Sequence, residues 1–234
     1  MPLAIAIALG YGLAALVVVS GGRLGRPWLL AAFALGALAF PLTVVLAASI
    51  QVLLASVAGW GPDAMAMTLG AGLAGAVITA AVNEVFKLAA ALLVWARWRG
   101  QAGVTRFGAA VGAGYGAVGA YQVIQLALMA RTLPISSASG FAGSLVQQLA
   151  FVAMHCAATA LAALGVTRRR PAAYLAAAIA VETVYLAFGL LYELRAYSNL
   201  AWSALDVLGA AAVIASVVIA SRRHDSDAAL ASAA

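Results

Sequence analysis

The chain is short of charge. Only 9% of its 234 residues are Asp, Glu, Lys or Arg, and seven of them are acidic. It has a single cysteine, Cys156, so an internal disulfide is excluded. It has two histidines, so a histidine-rich metal cage is excluded as well. No glycine loop suited to phosphate, no serine-nucleophile motif and no nucleic-acid module is present. What the chain has in abundance is apolar surface: 66% of residues are hydrophobic and the mean hydropathy is +1.06. A soluble domain of this length could not bury that much.

The apolar residues fall into long runs, each sufficient to cross about 30 Å of hydrocarbon as a helix of about 20 residues. The sequence predicts an all-α, polytopic membrane protein with seven spans. These are Pro2–Ser20, Trp28–Val57, Met65–Trp95, Phe107–Ala130, Ala142–Val166, Ala172–Leu191 and Leu200–Ala220. Residues 1–220 then form one transmembrane domain, and Ser221–Ala234 a flexible cytoplasmic tail. No basic residue precedes the first apolar run, so that run reads as a retained span rather than a cleaved signal. Pro41 is expected to kink the second span.

The net charge of +6 lies in loops and sets topology; it does not point to nucleic acid. Arg23, Arg26, Arg97, Arg99, Arg106, Arg168, Arg169, Arg170, Arg222 and Arg223 fall on one side of the predicted spans. Only Arg131 and Arg195 fall on the other. The crowded side is expected to be cytoplasmic, with the N-terminus out and the C-terminus in, in a cell membrane. Trp28, Trp60, Trp95, Trp98 and Trp202 lie near span ends, where interface aromatics belong.

Against this background the third span is unusual. Asn83, Glu84 and Lys87 interrupt a run that is otherwise apolar from Met65 to Trp95. Charges at lipid depth are costly unless they are paired or face a polar interior. Glu84 and Lys87 are three apart, on one helix face, and can pair. Tyr115, Gln122 and Gln125 in the fourth span, His155 in the fifth, Glu182 in the sixth and Asp206 in the seventh lie at overlapping depths. Asn83, Glu84, Lys87, His155 and Glu182 are therefore expected to form a central polar cluster. A carboxylate and an imidazole can together orient and deprotonate water; a structural ion pair is the plainer alternative. Thr159, four residues after His155, shares its face and could orient the ring, whereas Cys156 points about 100° away and reads as a small apolar residue. Gly108, Gly112, Gly116 and Gly119 give the fourth span a smooth face against which another helix can pack.

The order of these residues carries a resemblance. Asn83-Glu-Val-Phe-Lys87, Gly112-Ala-Gly-Tyr-Gly-Ala-Val-Gly119, Gln147-Gln-Leu-Ala-Phe-Val-Ala-Met-His155 and Val181-Glu-Thr-Val-Tyr185 follow one another in successive spans. In this the chain resembles the YhfC type of intramembrane peptidase, related to PrsW and the CAAX-protease/bacteriocin-processing membrane proteins. That pattern has Glu-Glu-x-x-Arg/Lys, then Gly-x-Gly-x-Gly-x-x-Glu, then a His, then a further His or Asp/Asn. The departures are specific. Asn83 replaces the first glutamate, Gly119 the glutamate of the glycine stretch, and the final His/Asp pair is not evident, although Glu182 falls nearby.

The resemblance implies a glutamic-type endopeptidase in which Glu84 is the base, His155 the oxyanion or water ligand and Lys87 the electrostatic support. Asn83, Tyr115, Gln122, Thr159 and Glu182 would line the substrate path. It implies a membrane peptide as substrate; no cofactor is expected, and no metal, because one deep His and two carboxylates on separate helices have no metal-ligand spacing. The departures open the alternative of a non-catalytic subunit that keeps the fold and holds a protein, lipid or solute.

Overall fold

The computed structural model describes residues 2–59, 69–129 and 138–193, together with residues 208, 209, 211 and 215. Six helices are described: α1 (Pro2–Ser20), α2 (Pro27–Val57), α3 (Leu69–Arg97), α4 (Val104–Met129), α5 (Ala138–Thr167) and α6 (Pro171–Glu193). There is no strand among the described residues. The predicted seventh span and tail, Trp60, Trp202, Asp206, Arg131 and Arg195 lie outside the described residues, apart from the four positions named within that span.

Five of the helices contain segments long and apolar enough to cross a membrane: Pro2–Ser20, Pro27–Val57, Leu69–Arg97, Gly143–Thr167 and Pro171–Gly189. The bundle is inverted relative to a soluble protein. Leu38, Leu42, Val45, Leu53 and Leu93 are each 60% or more exposed, while Glu84, Lys87 and Glu182 are 0% exposed. Apolar outside and charged inside is the arrangement that hydrocarbon selects, and this is an integral membrane protein. The missing member of the apolar set is α4, which is also the most enclosed. It packs against α1, α2, α3 and α5. From Val104 to Ala120 its neighbours, rather than its own side chains, face outward, so this stretch can be rich in glycine and carry Tyr115.

Small residues let α4 sit there. A Cβ at Gly112 would land on the His155 carbonyl oxygen, one at Gly108 would come 2.7 Å from that of Thr159, and one at Gly116 would come 2.8 Å from Val152 Cα. The predicted glycine face is therefore the α4–α5 seam. A second seam was not evident in the sequence. Gly114 is two residues from Gly112, about 200° around the helix; a Cβ there would strike the Phe33 carbonyl oxygen on α2. Gly36 on α2 meets Val111 of α4 in the same way. Glycines on opposite faces of α4 thus hold α5 and α2 at backbone contact.

Helix α2 runs unbroken through Pro41. Gln51 ties it to α3, its Nε2 donating to the Gly75 carbonyl at 3.0 Å and to Thr79 Oγ1 at 2.8 Å. Replacing Gln51 by Leu is expected to lower stability by about 0.6–1.7 kcal/mol, the range for hydrogen bonds between membrane helices. Thermal unfolding in detergent measures this, and an unchanged midpoint would show that the bond does not hold the seam.

Leu16, Trp28, Leu29, Val94 and Phe107 form one core cluster that Leu24, Trp98 and Ala102 cover, and Val104 packs with Ala162 and Ala163 in another. The loops at 21–26, 98–103 and 168–170 therefore gather at one end of the bundle, with Arg23, Arg26, Arg97, Arg99, Arg106, Arg169 and Arg170 exposed. Trp28, the second residue of α2, lies near a span end as expected but is enclosed. It is 3% exposed and packs on Phe107 with ring centroids 4.6 Å apart, because it enters the seam between α2 and α4. Trp95 and Trp98 stay partly exposed, under the guanidinium groups of Arg99 and Arg97.

Candidate functional site

Four helices meet around one ammonium. Lys87 on α3 is fully buried, and its Nζ donates to Glu84 Oε1 at 2.5 Å, Glu182 Oε2 at 2.9 Å and His155 Nδ1 at 2.9 Å. The first contact is the predicted three-residue pair on one helix. The other two come from α6 and α5, 95 and 68 residues away. Below the ammonium lies the Tyr115 ring of α4, with the centroid 4.7 Å away. A desolvated cation over an aromatic face adds to the pairing.

An ammonium has three hydrogens and accepts nothing. With its three hydrogens directed at two carboxylates and an imidazole, Lys87 is saturated, and His155 Nδ1 acts as acceptor. The imidazole therefore carries its proton on Nε2, and that N–H is buried without a partner among the described residues. Rings hold the imidazole in place. Phe151, one turn earlier on α5, stands edge-on with its centroid 4.4 Å away, and Tyr115 at 4.9 Å. Tyr115 is fixed in turn. Thr43 Oγ1 donates to the Phe40 carbonyl at 3.0 Å, so the Tyr115 hydroxyl donates to Thr43 Oγ1, at 2.8 Å.

Asn83 donates its amide to Glu182 Oε1 at 2.6 Å. Both oxygens of Glu182 are thus held, one by Asn83 and one by Lys87. Glu84 Oε2, Asn83 Oδ1 and Thr159 Oγ1, by contrast, are buried without hydrogen-bond partners among the described residues.

Of the residues expected from sequence, the structure brings Asn83, Glu84, Lys87, Tyr115, His155 and Glu182 together. Thr159 is buried one turn from His155, but its hydroxyl does not bond the ring, so it does not orient the imidazole. Gln122 is exposed on the outside of α4, and Gln125 is half-exposed. Gln122 shares nearly the same face as Tyr115 but lies two turns further along α4, past the buried stretch that ends at Ala120. Cys156 is only half-buried, packed beside the α1–α2–α4 core. Thr43 and Phe151 were missed. Phe151 could have been found from its four-residue spacing to His155, whereas Thr43 lies on another helix with no local signal.

One atom each of Glu84, His155 and Glu182 lie within 4.8 Å of one another, a spacing that could surround a metal ion. Lys87 Nζ already bonds all three of these residues. The ammonium fills the centre that a divalent ion would need, and these residues fit Lys87 rather than a metal. Compared with protein-family models, curated proteins and solved structures, the chain matches none.

Proposed function

We propose that this protein is an intramembrane hydrolase of the glutamic type that acts on peptide bonds of membrane-embedded substrates. The observation that supports it most is the placement of Glu182. Where the resembled motif has a glutamate, this chain has Asn83, and Asn83 holds the Glu182 carboxylate from α6 beside Glu84. A carboxylate pair absent from one helix is thus assembled from two.

In this reading Glu84 Oε2 takes a proton from water as the water oxygen adds to the substrate carbonyl carbon. His155 Nε2–H donates to the oxygen that becomes negative. The tetrahedral adduct then loses its amine as the C–N bond breaks, and Glu84 returns the proton to the nitrogen. Lys87 does no proton transfer. It balances charge and keeps His155 in the tautomer that donates.

Glu84→Gln preserves shape and removes the base. Cleavage of a transmembrane peptide by the chain reconstituted in vesicles is expected to fall about 10²–10⁴-fold. Equal cleavage by the variant would remove Glu84 from the mechanism. The arginine-rich end is assigned to the cytoplasm of a cell membrane, with the N-terminus outside, and accessibility labelling of cysteines introduced at positions 22 and 100 tests that orientation.

A second reading has its own support. Glu84, Lys87, Glu182 and His155 are all 2% exposed or less, which suits a non-catalytic subunit whose ion cluster only fixes helix packing. A reconstituted chain that cleaves no membrane peptide, wild type and variant alike, favours it.

A further inference from the structure

The cluster has a charge count that its own geometry fixes. Lys87 Nζ and His155 Nδ1 are 2.9 Å apart in a hydrogen bond, so one of the two nitrogens must accept. The two bases together therefore hold one positive charge, wherever the proton sits between them. Glu84 and Glu182, both ionised, hold two negative charges. The remainder is one uncompensated negative charge in a site where all four side chains are 2% exposed or less. Among the described residues no other ionisable group balances it. Of the elements packed around the cluster, α4 contributes only the Tyr115 ring, and α2, behind it, Thr43. An isolated buried charge is far costlier than a paired one, and such a site takes up a compensating ion instead.

The unpartnered atoms show where. Glu182 has both oxygens occupied, while Glu84 Oε2 and the neighbouring residue's Asn83 Oδ1 are buried without a hydrogen-bond partner among the described residues. A hard metal cation wants a shell of several oxygens, and the cluster has too few free ones, whereas a proton needs one. We infer that this cluster is a binding site for a single exchangeable proton, carried on Glu84 Oε2, which makes the buried centre neutral at rest. The inference does not rest on the hydrolase reading. If Glu84 also acts as a base, the proton must leave first, and either conclusion can fail while the other stands.

Infrared spectroscopy of the full chain in lipid nanodiscs, with ¹³C-labelled glutamate, tests it. The chain has three glutamates, Glu84, Glu182 and Glu193, so the label is nearly site-specific. In sodium-free buffer at neutral pH, the wild type is expected to show the carbonyl stretch of one protonated glutamic acid. Glu84→Gln is expected to lose it. That variant leaves one carboxylate and one positive charge, so it is neutral without a proton and is expected to fold. A wild type with every glutamate ionised overturns the inference. So does a protonated band that persists in Glu84→Gln. So does a band abolished by sodium chloride but kept in choline chloride at the same pH, because the compensating ion would then be a metal.

Discussion

Lys87→Met is expected to destabilise the protein by about 3–5 kcal/mol, the cost of removing one partner from a buried ion cluster. Methionine is close to lysine in length and fits the same channel between α3, α5 and α6. The loss is therefore not one of volume. It is the loss of the cation that compensates Glu182, and of three hydrogen bonds in one step. The thermal midpoint in detergent is expected to drop by roughly 6–20 °C, at about 2–4 °C per kcal/mol for a chain of this size. Adding Glu182→Gln to Lys87→Met removes the stranded carboxylate and is expected to recover part of the loss. If the single variant unfolds at the wild-type temperature, Glu182 is not compensated by Lys87, and the charge count given above is wrong.

The second large effect is steric. Gly112→Val is expected to cost about 1–3 kcal/mol or more, as overpacking does in a close-packed interior. The α5 backbone has no side chain there to swing aside, since the new Cβ would meet the His155 carbonyl itself. Relief requires α4 and α5 to part, and that draws His155 from Lys87. The substitution should therefore disable the site as well as destabilise the bundle. Gly10 and Gly70 provide the contrast, because nothing lies within 4 Å of a Cβ at either. Gly70→Ala lies inside the first turn of α3 and should be neutral or gain up to about 1 kcal/mol in helix propensity. If thermal midpoints show Gly112→Val to be as harmless as Gly70→Ala, backbone contact at the α4–α5 seam does not hold the bundle together.

The sequence supplied those features that one helix decides by itself. Apolar run length predicted the six described helices, and the ends that lie between described residues differ from the expected ones by at most three residues, as at Val104 against an expected Phe107. The Glu84–Lys87 pair follows from three-residue spacing, and the glycine face at Gly108, Gly112 and Gly116 from the helical period. The gathering of arginines at one end follows from their recurrence in every second loop.

Only the tertiary structure decided how the helices are turned about their axes. Tertiary packing also decides which part of a face is covered: Tyr115 lies under the ammonium, while Gln122, two turns further along nearly the same face, is exposed. It also brings Glu182 to Asn83 across 99 residues of chain. Periodicity says which residues share a face, but not which neighbour that face meets. In this bundle the answer came from backbone contact at Gly36, Gly112 and Gly114, where two seams on opposite sides of α4 leave the helix one orientation. The charged residues then met because, at that orientation, Lys87 had three hydrogens to place and Glu84, Glu182 and His155 were the acceptors within reach.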